Sequence, residues 1–144
     1  FVLKTTWSAL FQPVGGEPFS MSLDDLPNLG RSDDPRLNTF AGRAVFTADI
    51  DIPDGSWSRL DLGCVRGVTS AKINGTPLGV QWYGRHVHAV RDCLQPGRNR
   101  IEIELATVLA NAYRMKVDRP DIARFFKGGT DPVDVGFSEP ARLV

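Results

Sequence analysis

The chain predicts an all-β fold, an antiparallel β-sandwich of jelly-roll type. Three observations carry this. Apolar and polar residues alternate with period two along most of the sequence, turn residues interrupt it at roughly every 8–12 positions, and no strand–helix–strand rhythm occurs. Glycine (14) and proline (10) make up about 17% of the 144 residues, against about 12% on average, as short strands joined by turns require.

Taken in order, Trp7, Ala9 and Phe11 alternate with polar or small residues. Phe19, Met21 and Leu23 repeat the pattern after the turn Val14-Gly15-Gly16-Glu17-Pro18. From Leu23 to Asn38 the sequence is polar and irregular, with Pro27, Gly30 and Pro35, and reads as a long surface loop. The clearest strand follows, with Phe40, Gly42, Ala44, Phe46, Ala48 and Ile50 on one face, ending at Pro53-Asp54-Gly55. Strands are then expected over Trp57 to Leu62 and Val68 to Ile73. Asn74-Gly75 lies between two apolar runs and is the strongest short-range hairpin signal, because both residues tolerate positive φ. Leu78 to Trp82 leaves that turn, Arg85 to Val90 is a short strand, and Gln95-Pro96-Gly97 turns into Asn99 to Ala106. In that last strand Ile101, Ile103 and Leu105 face inward and Glu102 and Glu104 outward. After Thr107 the period changes. Val108, Leu109 and Ala112 fit one helical turn, Asp121 to Phe126 a second short helix, and Ala141 to Val144 a final strand.

Residues 1–144 suffice for one domain and not two. A chain of this length buries roughly 68–70% of its unfolded surface, so its core needs no disulfide or metal. It begins at Phe1 with strand-like sequence and reads as an excised piece of a longer, multidomain protein. Lys plus Arg (17) equals Asp plus Glu (17), which argues against nucleic acid as a partner, since counterion release needs excess cations. The same balance argues against an anionic membrane surface as a partner, and no apolar run approaches the ~20 residues of a membrane span. Cys64 and Cys93 form neither a CxxC motif nor a zinc site; two buried free thiols fit them better than a disulfide.

Chemistry is sparse. Glycosidic cleavage requires two carboxyls about 5–10 Å apart across a cleft. Asp24/Asp25 and Asp33/Asp34 are adjacent on the polar loop and suit solvated or capping roles. Glu102 and Glu104 share a strand face at about 7 Å but alternate with core aliphatics, the pattern of a wet strand face. His86 and His88 point to one side of a strand. A metal there needs a third protein ligand, so an exposed polar face is the expectation. No GxSxG, HExxH or phosphate-cradling loop occurs, Gly128-Gly129-Thr130 lacks a following lysine, and nothing calls for a cofactor. The densest mix of stacking surface and donors is Trp82-Tyr83-Gly84-Arg85-His86. Its candidate sugar-binding residues are Trp82, Tyr83, Arg85 and His86. The competing reading has Trp82 capping the sandwich core and Tyr83 packing on a neighbouring loop.

Four blocks carry a resemblance. Phe40-Ala41-Gly42-Arg43-Ala44-Val45-Phe46 resembles the F-S-G-x-A-x-Y strand of the galactose-binding-like jelly-roll domains attached to large glycoside hydrolases. Leu60-Asp61-Leu62-Gly63-Cys64-Val65 resembles their L-D-L-G-x-V strand. The segment from Ile73-Asn74-Gly75 to Trp82 is similar to V-N-G-x-x-L-G-x-x-W, and that from Leu94-Gln95-Pro96-Gly97 to Ile103 to L-x-P-G-x-N-x-L-x-I. The blocks keep the family's order and span most of positions 1 to 111. The C-terminal domains of α-L-rhamnosidase-like enzymes are the nearest in character, since Thr107 to Asn111 and Ser138-Glu139-Pro140-Ala141-Arg142-Leu143 also resemble theirs. The sugar-binding domain of the β-galactosidase and β-glucuronidase superfamily is the second choice. Trp82-Tyr83-Gly84-Arg85-His86 stands where the family has W-x-x-P-[FY], and Asn111 to Asp134 also departs from the pattern.

The resemblance implies that catalysis resides in a separate barrel domain. This chain would then be a non-catalytic accessory domain of a bacterial glycoside hydrolase, with the catalytic domain of the same parent chain as partner and carbohydrate as a further contact. The alternatives are an independent carbohydrate-binding module and, third, an intact small enzyme.

Overall fold

The computed structural model describes residues 1–90, 92–114 and 132–144; the helix expected at Asp121 to Phe126 lies outside them. Among the described residues ten strands form: β1 (Trp7–Pro13), β2 (Phe19–Leu23), β3 (Gly42–Ile52), β4 (Arg59–Arg66), β5 (Val68–Ile73), β6 (Thr76–Gln81), β7 (Arg85–Ala89), β8 (Gly97–Ala106), β9 (Gly136–Phe137) and β10 (Arg142–Leu143). Among the described residues, two short α-helices, α1 (Pro35–Asn38) and α2 (Ala110–Arg114), and a single 3-10 turn, Leu29–Arg31, lie outside the sheets.

All strand pairings are antiparallel. One sheet runs β2-β1-β3-β8-β5-β6, the other β10-β4-β7, with β9 on the far end of β4. The pairs β3·β8, β4·β7 and β5·β6 nest inside one another along the chain and alternate between the sheets. That is the jelly-roll winding of one long folded hairpin.

Alternation decides what lies between the sheets. Trp7, Ala9 and Phe11 of β1, the even positions Ala44 to Ile52 of β3, and Ile101, Ile103 and Leu105 of β8 are buried against Leu60, Leu62, Phe137 and Leu143. The Phe11 ring stacks on Phe19 at 5.0 Å and meets Phe40 and Phe46 edge-to-face at 5.2 and 5.9 Å; Phe46 meets Phe137 at 5.6 Å. Each such pair adds about 0.5–1.5 kcal/mol beyond area burial. On the outer face of β8, Glu102 accepts from Lys72 and Glu104 from Arg43, as a wet strand face allows.

The stretch from Leu23 to Asn38 departs from a surface loop. Leu26, Leu29 and Leu37 are buried, and Asp34 caps α1 by accepting from the Arg36 N–H. These leucines are spaced too irregularly for a periodic signal, yet they close one edge of the core. β9 also escaped the sequence pattern; Gly136–Phe137 is two residues long and exists through pairing with Val65 and Arg66. The cysteines are free and not buried as expected: Cys64 is exposed, at the register shift of β4 between Asp61 and Cys64, and Cys93 is only half-buried.

Candidate functional site

Two crossings between the sheets converge at one corner of the sandwich: the end of β4 (Cys64 to Arg66) with Gly67, which leads into β5, and the connection Trp82 to Gly84, from β6 to β7. Between them lies an open groove of about 350 Å³ lined by Cys64, Val65, Arg66, Gly67, Trp82, Tyr83 and Gly84. Gly84, at φ +71°, turns the chain from β6 into β7. That turn throws both aromatics outward. Trp82 is 75% exposed and Tyr83 82%, with ring centroids 6.1 Å apart and planes tilted by 53°. Trp82 therefore does not cap the core, and Tyr83 lies free of neighbouring loops.

The other two candidates part company with them, because alternate residues of β7 face opposite sides. Arg85 turns to the outer face of the smaller sheet. Its Nη2 and Nε donate to Asp61 Oδ2 at 2.8 and 3.1 Å, and both terminal nitrogens reach Glu139. Asp61 also accepts from Arg142 Nε and, through Oδ1, from the Gly63 N–H. Burial by itself would raise the Asp61 pKa; the bonds from Arg85, Gly63 and Arg142 outweigh it and hold the carboxyl below its ordinary range. The Glu139 carboxyl is likewise held down, chiefly by Arg85.

His86 turns inward. It is 0% exposed and His88 1%, so the expected exposed polar face is corrected: the two imidazoles lie in the core. The Nδ1 atom of His86 is 2.7 Å from Thr69 Oγ1. The outer positions of β7 go to Arg85, Val87 and Ala89, and the guanidinium of Arg85 is fixed there by two carboxylates. The histidines are left facing the opposite sheet.

Of the four sequence-derived residues, the groove thus brings together Trp82 and Tyr83 and leaves out Arg85 and His86. It adds Arg66 and Cys64 instead, both exposed at the end of β4. No local motif marked these two, since their place opposite Trp82 depends on how the sheets stack. Among the described residues, no three His, Cys, Asp or Glu side chains converge as a metal-ligand set.

An antiparallel β-sandwich with jelly-roll winding and an aromatic-lined corner groove is what fold and site define. No protein-family model matches the chain, and no curated protein matches its sequence. Solved structures do. A rhamnosidase from Novosphingobium sp. PP1Y superposes with a TM-score of 0.77 at 22% identity, over 99% of this chain and 14% of that one. The β-glucuronidase from Ruminococcus gnavus superposes with a TM-score of 0.56 at 14% identity, over 74% of this chain and 21% of that one. Its complex with uronic isofagomine gives 0.57 at the same identity. The chain thus has the fold of one part of each and spans only 14% to 21% of their lengths.

Proposed function

We propose that this chain is a non-catalytic β-sandwich accessory domain of a bacterial glycoside hydrolase, bracing the catalytic domain of the same polypeptide and contacting glycan through Trp82 and Tyr83. The observation that carries the reading is the superposition of nearly the whole chain on a small part of a rhamnosidase. The ion pairing of the carboxylates supports the non-catalytic role. Asp61, Glu102 and Glu104 each hold an arginine or lysine, whereas a catalytic acid needs a raised pKa facing a cleft. The exposed aromatics support the glycan contact. A pyranose face on one ring gains about 1–3 kcal/mol by apolar burial, and a hydrogen bond adds roughly 0.5–1.5. Ordering costs offset much of this, leaving millimolar affinity, near about −4 kcal/mol.

The test is an NMR titration of the chain with methyl rhamnoside, galactoside and glucuronide, beside an assay for aryl-glycoside turnover. Shifts at the Trp82 indole and at the groove amides of Arg66, Gly67 and Gly84, the amide shifts vanishing in Trp82→Ala/Tyr83→Ala, with no turnover, are expected. Turnover by the pure chain overturns the non-catalytic role; shifts that survive the double variant overturn the site. An independent carbohydrate-binding module is the second reading, favoured by the groove being concave, aromatic-lined and open to water. Affinity for a free oligosaccharide well below millimolar would select it.

A further inference from the structure

We propose that His86 and His88 form an acid-sensitive latch beneath the β6–β7 corner: protonation of these two buried imidazoles releases β6, and with it the Trp82–Tyr83 connection, from the sandwich. The conformational change stands on its own geometry, and only its consequence for glycan contact rests on the reading above.

The two histidines occupy consecutive inward positions of β7, and both are buried. Among the described residues, only His86 Nδ1 of their four ring nitrogens makes a full hydrogen bond, to Thr69 Oγ1; His88 has only the backbone of Leu78, on β6, beside it. Neutral imidazoles tolerate this poorly and imidazolium ions far less, because each charged ring presents two N–H donors that need acceptors. The described surroundings supply no carboxylate. On β4 the inward residues are Leu60, Leu62 and Val65, while Asp61 turns outward to Arg85 and Arg142, and Arg59, Arg66 and Cys64 are exposed. On β5 they are Thr69, Ala71 and Ile73, while Lys72 reaches Glu102 on the far face. β6 carries no ionisable group, and β10 brings only Arg142, bonded to Asp61. In the connection from β7 to β8, Asp92 is exposed and Cys93 packs half-buried against the core. Burial accordingly holds the pKa of both histidines below the ordinary value; the charge of His88 adds to this at His86, and at His88 burial outweighs the hydrogen-bonding pull of the Leu78 backbone, the one acceptor that would favour its charged form.

What yields is the strand above them. β6 is the edge of the larger sheet, and four of its six residues are exposed. Leu78 is its one apolar side chain packed on the core, Pro77 lacks an N–H, and its register with β5 breaks between Ser70 and Lys72. The side chain of Gln81, donating to the Val87 carbonyl at 3.0 Å, ties it to β7. Lifting this strand admits water to the imidazoles while β3 and β8 stay paired, so the corner opens before the sandwich unfolds.

The experiment is NMR of the full 144-residue chain between pH 7.5 and 5.0 without sugar, reading the imidazole resonances, the Trp82 indole N–H and amide protection factors. As pH falls, protection in β6 and β7 should drop at least tenfold while β3 and β8 are unchanged, with the Trp82 signal moving along the imidazole titration curve. In His86→Gln/His88→Leu the drop should disappear. Equal pH dependence in β6 and β3, a response that persists in that variant, or imidazoles titrating at or above the free-histidine value would each overturn the latch. Should the double variant fail to fold, the imidazole and protection curves of the unaltered chain decide alone. Sugar titration at pH 7.5, where the latch is closed, tests the glycan reading separately.

Discussion

Arg85 and Asp61 meet across β7 and β4, the guanidinium donating twice to one carboxylate oxygen at 2.8 and 3.1 Å. The same guanidinium reaches Glu139 and the same carboxylate takes Arg142, so four side chains clamp the C-terminal segment onto the smaller sheet. Asp61 is the hub, its side chain only 9% exposed. Asp61→Ala strands the Gly63 N–H and leaves two arginines without their shared acceptor. The expected cost is about 1–3 kcal/mol in denaturant unfolding, with Asp61→Asn losing less because one oxygen remains. Equal stability of wild type and Asp61→Ala would remove the clamp from the account.

The tryptophans separate stability from surface. Trp7 is fully buried, so Trp7→Ala should cost roughly 3–5 kcal/mol. Trp82→Ala should fall within about 0.5 kcal/mol of wild type, since its ring stands in solvent. Comparable losses in urea unfolding would contradict the exposed position of Trp82.

Two glycines are required for different reasons. A β-carbon at Gly30 would lie 1.9 Å from the Val133 carbonyl oxygen, a clash with backbone, so Gly30→Ala should lose at least about 3 kcal/mol. Gly75 has φ +82° and open space around it, so Gly75→Ala meets only left-handed strain, about 1–2 kcal/mol. The order of the two melting temperatures checks this.

Acid should act in two steps. His86 and His88 have folded pKa values below that of the unfolded chain, about 6.5, so the unfolded state takes up protons first. Their contribution is complete above that pH and declines as pH falls through the folded values. Asp61, Asp134 and Glu139 are also depressed, so theirs is complete above about pH 4–5 and lost further down. Melting temperature against pH should show both steps, and His86→Gln/His88→Leu should lack the upper one alone.

Much of this molecule was legible along the chain. Alternation placed β2 and β5 to the residue, Asn74-Gly75 closes the β5–β6 hairpin with φ values of +51° and +82°, and the wet positions of β8 carry ion pairs. These are relations between near neighbours, where backbone geometry and side-chain period suffice. The sequence also put His86 and His88 on one side of a strand, yet only the stacked sheets decided that this side is the interior. Arg85 finds Asp61 and Glu139 on the other face, partners 24 and 54 positions away. The groove is of the same kind. Trp82 and Tyr83 are adjacent in sequence, but Arg66 and Cys64 join them because two crossings between sheets end at one corner. Burial and convergence depend on which distant strands the winding of the chain lays together, and no local pattern encodes that.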